Sequence, residues 1–361
     1  MGVWLGLSAH LNTAAYVVVA ILGLGLLMVV HEGGHYLAAR FYGMRVLKFS
    51  IGFGPTIWRR QPKDSPTTFQ IGIIPFLAYV QIAGMNPYEE IDPNDKGSYA
   101  NGSLWARIAT IAAGPLANYL VASIFFFFGI LITGNPVIDP HGVRLTPASE
   151  GPAQTAGILA GDLAMEVDAK AISSTEQFTR AVSSAAGRPL VVTLERNGER
   201  IVKEVTPLAE GPDKGRIRVT VSPNIRFERA TLTQASAFAL KEPARTVART
   251  FVGIYRMITG KEKGELGGPL RMTEEMVAVA RQGAGEFVTM LGALSAYLGA
   301  FNLLPIAALD GGRLMFLAAE AISRRRPNAK VEGLIHAAGL LVLLSLIAVI
   351  SVFDVLRWTK R

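Results

Sequence analysis

His31, Glu32 and His35 stand together in "LMVVHEGGHYLAAR", residues 26–39, after twenty-nine residues (Gly2 to Val30) without one Asp, Glu, Lys or Arg. On a helix, positions i and i+4 share a face, about 6 Å apart along the axis. Two imidazoles so placed can hold one metal ion. Glu32 lies beside them, where a carboxylate can take a proton from water. Ionisable groups inside a membrane-length apolar run are costly unless they face a cavity or a partner, so they mark a site. The competing reading is a structural polar cluster or a helix-packing site. Gly33 and Gly34 each cost about 1 kcal/mol against Ala in a helix. In exchange they let another backbone approach closely, as plain small-residue packing also does.

The spacing His-Glu-x-x-His is that of zinc peptidases. The chain has no cysteine, so a metal must use His, Asp, Glu or Asn. A catalytic zinc usually has three protein ligands and one open position. "FNLLPIAALDGGRL", residues 301–314, is the best source of the third. Pro305, Asp310, Gly311 and Gly312 break an apolar run there. Broken backbone at membrane depth is tolerated only where it lines protein or a water-filled cavity. Asp310 is the first charge after Glu286; its plainer reading is a helix-end cap. Asn302 offers an amide to a peptide carbonyl or an oxyanion.

These residues need a membrane scaffold. The chain has 361 residues, 50% hydrophobic and 18% charged, which is too apolar for an ordinary soluble enzyme and too charged for a wholly embedded one. Four stretches reach the roughly 20 apolar residues of a bilayer span: one within 12–39, then 108–133, 287–309 and 333–353. The first has no basic n-region, so it reads as a span and not as a cleaved signal. Residues 40–107 hold eight Lys or Arg, and 313–330 hold five. Both loops are therefore expected on the cytoplasmic side, with the N-terminus outside. The basic C-terminal residues Arg357, Lys360 and Arg361 run against that rule. The net charge of +8 is explained by these loops, so nucleic acid is not an expected partner.

That orientation places residues 134–285 outside. "PLVVTLERNGERIVKEV" alternates on both sides of Asn197-Gly198, a hairpin signal. "STEQFTRAVSSAAG" predicts a short helix ending at Gly187, and "GRIRVTVS" another strand. Residues 233–258 have a helical period, with Leu240, Ala244, Val247, Phe251, Ile254 and Ile258 on one face and Lys241, Arg245, Arg249 and Arg256 on the other. Such a helix suits either a membrane surface or a soluble domain. The expected architecture is a polytopic α-helical bundle of about four spans, with a membrane-associated β segment at 68–84 and an inserted α+β domain. Its parts are 1–134, 135–225, 226–285 as a helical linker, and 286–361.

Taken together, these motifs resemble the site-2 protease family of intramembrane zinc metalloproteases, closest to the bacterial regulator-of-sigma-E branch. His31-Glu32-Gly33-Gly34-His35 is similar to the family's first motif. Asn302, Pro305, Leu309, Asp310 and Gly311 are similar to its second. "WARIATIAAGPLANYLVA", residues 105–122, looks like its Ala-Gly-Pro-x-x-Asn span. "EGPAQTAGILAGDLAMEVDAKAI" looks like the start of a bacterial PDZ domain. The resemblance implies zinc on His31, His35 and Asp310, with Glu32 as the base. It implies single-span membrane protein substrates, such as anti-sigma factors already cut by an upstream site-1-type protease. It also implies a bacterial cytoplasmic membrane with the PDZ domain outside. The chain departs at three points: Ala307 replaces a usual proline, Leu77-Ala78 replaces a Gly-Gly, and Ala169 replaces a usual PDZ glycine.

A helical substrate must unwind before its carbonyls can be reached. An edge strand can hold the unwound chain by β-addition. "TFQIGIIPFLAYVQIAG", residues 68–84, is the expected strand, with Ile73 and Tyr79 as substrate-binding positions. Two rival classes are a non-catalytic PDZ scaffold and a metal transporter. The first has no need of Glu32 together with Asp310. The second commonly shows repeated halves, and the His-Glu motif has no repeat.

Overall fold

The computed structural model describes residues 2–86, 89–90, 92–211, 214–261 and 268–359. The predicted helical linker at 226–285 therefore falls partly outside them, at 262–267. The elements run α1 (Gly2–Phe41), β1 (Val46–Arg60), β2 (Thr68–Ile82), α2 (Leu104–Thr133), β3 (Asn135–Pro147), α3 (Pro152–Thr155), β4 (Leu163–Val167), β5 (Lys170–Ala171), α4 (Thr175–Ser183), β6 (Leu190–Arg196), β7 (Glu199–Val205), β8 (Leu208–Ala209), β9 (Gly215–Arg216), β10 (Val219–Glu228), α5 (Leu232–Ile258), α6 (Pro269–Gln282), α7 (Ala284–Asn302), α8 (Asp310–Ser323) and α9 (Ala329–Trp358). They form two units. Gly134–Arg229 is one, and the segments on either side of it form the other.

In the divided unit, α1 from Thr13, α2, α7 and α9 are long and apolar enough to cross a membrane. The protein is a multi-pass membrane protein. The third span ends at Asn302, seven residues before the expected Leu309. Leu303 to Leu309 form a turn, and Asp310 opens the separate helix α8. The short "NLLP" run cannot continue as helix into Pro305, whose missing N–H and ring clash stop it.

Helices α1 and α2 cross tightly at Gly34, where a Cβ would collide with the backbone oxygen of Ala113. Gly33 faces open space, so only one of the two glycines serves close packing. Ala20, Leu27, Met276 and Leu291 join α1, α6 and α7 in one apolar cluster. Ala122, Phe126 and Ala296 join α2 to α7, with Phe238 of α5 against them.

Helix α5 packs on α2 and α7. Its buried stripe is Ala235, Ala239, Glu242, Pro243 and Thr246, not the apolar face expected from sequence; Leu240 is 79% exposed. Small residues permit close helix approach where large apolar chains gain nothing by leaving lipid. Glu242 is paired with Arg249.

Strands β1 and β2 fold back on each other in four segments. Val46 lies opposite Ile82 and Ile51 opposite Ala78, antiparallel. On the other side of the same residues, Lys48 faces Thr68 and Ile51 faces Ile71. Arg60 then faces Phe69 and Thr56 faces Gly72. The order is 78–82, 46–51, 68–71, 56–60. The bend at Gly52 and Gly54 uses positive φ of 88° and 86°, which glycine adopts without strain. The sequence reading found one strand of this sheet and missed its partner, 46–60. Only the second half of 68–82 is an edge.

The inserted unit has a sheet in the order β10-β3-β4-β6-β7, with β5 on β4, and a separate β8–β9 pair. Phe178 of α4 packs with Leu145, Ile158, Val192, Leu194 and Ile217 in its core. The β6–β7 hairpin turns at Asn197-Gly198, both at positive φ, as expected. At the Ala169 departure the turn still forms: Asp168 and Ala169 take φ of 48° and 61°, and the Asp168 carboxylate accepts the Val191 N–H at 3.0 Å. "GRIRVTVS" is two strands, broken at Ile217 and Arg218.

Candidate metal centre

His31 and His35 lie one turn apart on α1 and are 5% and 6% exposed. Their Nε2 atoms are 3.3 Å apart. Asp310 Oδ2 lies 3.0 Å from His31 Nε2 and 3.3 Å from His35 Nε2. His35 Nδ1 donates to the Thr110 carbonyl at 2.8 Å, so its Nε2 carries a lone pair. His31 Nδ1 meets the Asn118 amide at 3.1 Å. If His31 also presents a lone pair at Nε2, its Nδ1 is protonated, and the acceptor is the Asn118 amide oxygen. That assignment also gives a partner to Asn118 Oδ1, which is otherwise buried without one.

With that assignment three lone-pair atoms converge, and Asp310 Oδ2 is buried without a hydrogen-bond donor. A cation satisfies all three. Ligands about 2.0–2.1 Å from a tetrahedral zinc stand roughly 3.3 Å from each other, which the observed separations match. His31, His35 and Asp310 are a group able to hold a metal ion.

The neighbouring elements hold the ligands in place. Gly114 of α2 lies flat against the His35 ring; any Cβ there would overlap it. Ser295 of α7 donates to the Asn118 carbonyl at 2.9 Å, tying the third helix to the same network. The turn carrying Asp310 is held from behind by α9. The Ala308 N–H donates to His336 Nδ1 at 3.0 Å, and Gly339 packs against Ala307. Ala308 has φ of 79°, a strained value for a residue with a Cβ. Near the turn at the end of α8, Arg107 donates to Glu320 at 3.0 Å. That guanidinium holds the Glu320 carboxyl below its ordinary range.

Glu32 accepts the Val80 N–H at 2.9 Å. Its carboxylate is thus aimed at the edge segment 78–82. Glu32, both histidines, Asp310, Asn302 and Val80 line one cavity of about 340 Å³. Asn302 spends one amide proton on the Leu298 carbonyl at 2.9 Å, which leaves its second N–H. Ile73 and Tyr79 do not line this cavity. Ile73 is 59% exposed, and the Tyr79 hydroxyl accepts from Gln70 at 3.1 Å. Of strand β2, Val80 lines the cavity, its N–H pointing outward from the edge segment. Sequence reading also missed Thr110, Asn118 and His336. For His336 a signal was available: it is an imidazole in an apolar run, as His31 is.

The family model for peptidase family M50 matches residues 19–346. A protein of Rhizobium meliloti named as a candidate zinc metalloprotease is 31% identical over 357 residues, covering 93% of this chain and 94% of the relative. A Nostoc relative so named is 31% identical over 342 residues, covering 91% and 93%. One from Clostridium perfringens is 29% identical over 343 residues, covering 94% and 98%. The chain belongs to peptidase family M50, the family of the site-2 proteases.

Proposed function

We propose that this protein is an intramembrane zinc endopeptidase that cuts the spans of single-pass membrane proteins. The observation that carries the reading is the convergence of His31, His35 and Asp310 lone pairs beside Glu32, inside helices of membrane length. Zinc, when bound by these three, polarises the scissile carbonyl and makes water more acidic. Glu32 takes the proton from the attacking water and gives it to the departing amide nitrogen. The Val80 N–H fixes the carboxylate toward the cavity. The free N–H of Asn302 points the carbonyl of the substrate. A scaffold has no use for a proton acceptor so placed, and the His-Glu motif lacks the repeat that transporters commonly show.

Edge segment 78–82 has no second strand beside it among the described residues. An unwound substrate adds there as a strand, which brings its backbone past Glu32. The basic loops support a cytoplasmic face for this sheet in a bacterial inner membrane, with the inserted unit outside as a PDZ domain. There it excludes substrates with bulky external regions, so an upstream protease must trim them first. Anti-sigma factors are substrates of this form.

Glu32→Gln tests the reading. It keeps shape and hydrogen bonding but cannot accept the proton. Expected are one zinc per chain, by metal analysis, and uncut membrane proteins accumulating with the variant. Normal turnover by Glu32→Gln would falsify the assignment of the base.

A further inference from the structure

The sheet of β1 and β2 has two outer edges. Segment 78–82 is one, beside Glu32. Segment 56–60 is the other, paired inward with 69–72 and with no strand outside it among the described residues. Every residue from Phe53 to Arg60 is exposed. Ile57 and Trp58 point to opposite faces of the strand, yet they are 66% and 48% exposed. Neither face of this rim rests on the protein. Its character changes in one direction along the chain: Phe53 and Ile57 are apolar, Trp58 is amphipathic, and Arg59, Arg60 and Lys63 are charged. The side chains of these three cations make no hydrogen bond or ion pair among the described residues. Asp64 is the only acidic residue from Val46 to Ile82.

The span of α1 from Thr13 to Phe41 has 29 residues, about 43 Å of helix. That is roughly the thickness of a bilayer with its headgroups. Glu32, which accepts the Val80 N–H, lies nine residues before Phe41, about 14 Å along the axis. The sheet is thus held within about 7 Å of the edge of the hydrocarbon. Arg60, Phe69, Phe49 and Val80 stand in one row across it. The basic end of the rim shares the row of Val80, and the apolar end runs on toward the bend at Gly52 and Gly54. Three surroundings compete for such a rim. In water, apolar side chains on both faces of an open edge invite aggregation. In hydrocarbon, the unpaired backbone groups and the arginines are costly. The headgroup layer suits both kinds of group, with Trp58 at the boundary where indole rings collect.

We propose that this rim docks on anionic phospholipid headgroups, with Arg59, Arg60 and Lys63 on the phosphates and Ile57 and Trp58 among the upper acyl chains. Charge decides the class of lipid. A zwitterionic headgroup carries its own cation, whereas three unpaired cations call for a net negative one. Each contributes roughly a fivefold preference near an anionic surface. The two edges of the sheet then have separate tasks: 78–82 faces Glu32, and 56–60 faces the bilayer surface.

The test uses the full-length protein in nanodiscs of phosphatidylcholine with a minor share of phosphatidylglycerol. Trp4, Trp105 and Trp358 are replaced by Phe, so that fluorescence reports Trp58 alone. One lipid at a time carries bromine on its acyl chain, which quenches a nearby indole. Relative association, scaled to the share of each lipid, should favour phosphatidylglycerol at Trp58 by roughly fivefold or more. The preference should shrink at high salt. It should fall to near unity when Arg59, Arg60 and Lys63 are all changed to Gln. The paired change Arg59→Lys and Arg60→Lys should keep most of it. Rebinding of one zinc per chain shows each variant to be folded. Equal association of the two lipids at Trp58 would overturn the proposal, as would a preference that survives the triple Gln change. Absence of quenching by either lipid would overturn it too, leaving the rim in water or against a second copy of the chain.

Discussion

Asn118 is worth as much attention as the ligands it supports. With its amide oxygen turned to His31 Nδ1, it fixes which nitrogen of His31 faces the other ligands, much as the Thr110 carbonyl does for His35. Partners of this kind typically affect metal affinity by about 10–100-fold. Asn118→Leu should therefore weaken zinc binding by about that factor. Asn118→Asp, which still accepts from Nδ1, should recover most of it. Competition against a chelator measures both, and equal affinity for all three proteins would remove Asn118 from the site. His31, Glu32, His35 and Asp310 could be picked out from residue type and spacing alone. Asn118 could not, because an Asn in an apolar helix does not reveal which helix it faces.

At the scale of elements, the folded sheet determines what reaches Glu32. Val80→Pro removes the N–H that Glu32 accepts and one outward donor of the edge. Cleavage should fall sharply while zinc stays at one per chain. Ile73→Pro should do little, since Ile73 lies off the cavity. If the two variants cleave alike, strand addition at 78–82 is wrong. In the inserted unit, Arg196 donates two bonds to Asp162, each of 2.7 Å, and the Leu159 N–H a third. The guanidinium holds this buried carboxyl below its usual range. With the folded value below the unfolded value of about 3.9, the stabilisation is present above roughly pH 4 and lost as pH falls through the folded value. Hydrogen-exchange protection factors of β4 and β6, corrected for the intrinsic pH dependence, should therefore fall on acidification. Asp162→Asn should exchange faster at neutral pH and show a flatter acid response; an unchanged acid response would rule out this pair as its source.

For the whole molecule, the inserted unit offers a clean excision. Asn135 pairs with Glu228, so its two ends lie side by side. Removing 136–227 and joining the ends takes out β3 and β10 together. If the unit is an external filter, excision should leave cleavage of a trimmed substrate intact and raise cleavage of an untrimmed one. A single cysteine at residue 200 should label from outside in the intact chain. Loss of both cleavages in a zinc-bound, membrane-inserted variant would show instead that the unit is needed for productive binding.

Charge placement, apolar length and the His-Glu-x-x-His spacing are local properties, so the membrane helices, the metal pair and the hairpin at Asn197-Gly198 were legible in the sequence. Long-range pairings were not. The return of 46–60 onto 68–82 depends on two glycine bends. The buried stripe of α5 follows helix contact and not hydropathy, since lipid accepts apolar chains as readily as a protein neighbour does. The meeting of Asp310 with His31 and His35 joins residues 275 and more positions apart in sequence, about three-quarters of the chain. Only the tertiary structure decided that α9, through His336 and Gly339, would brace the turn that makes that meeting possible.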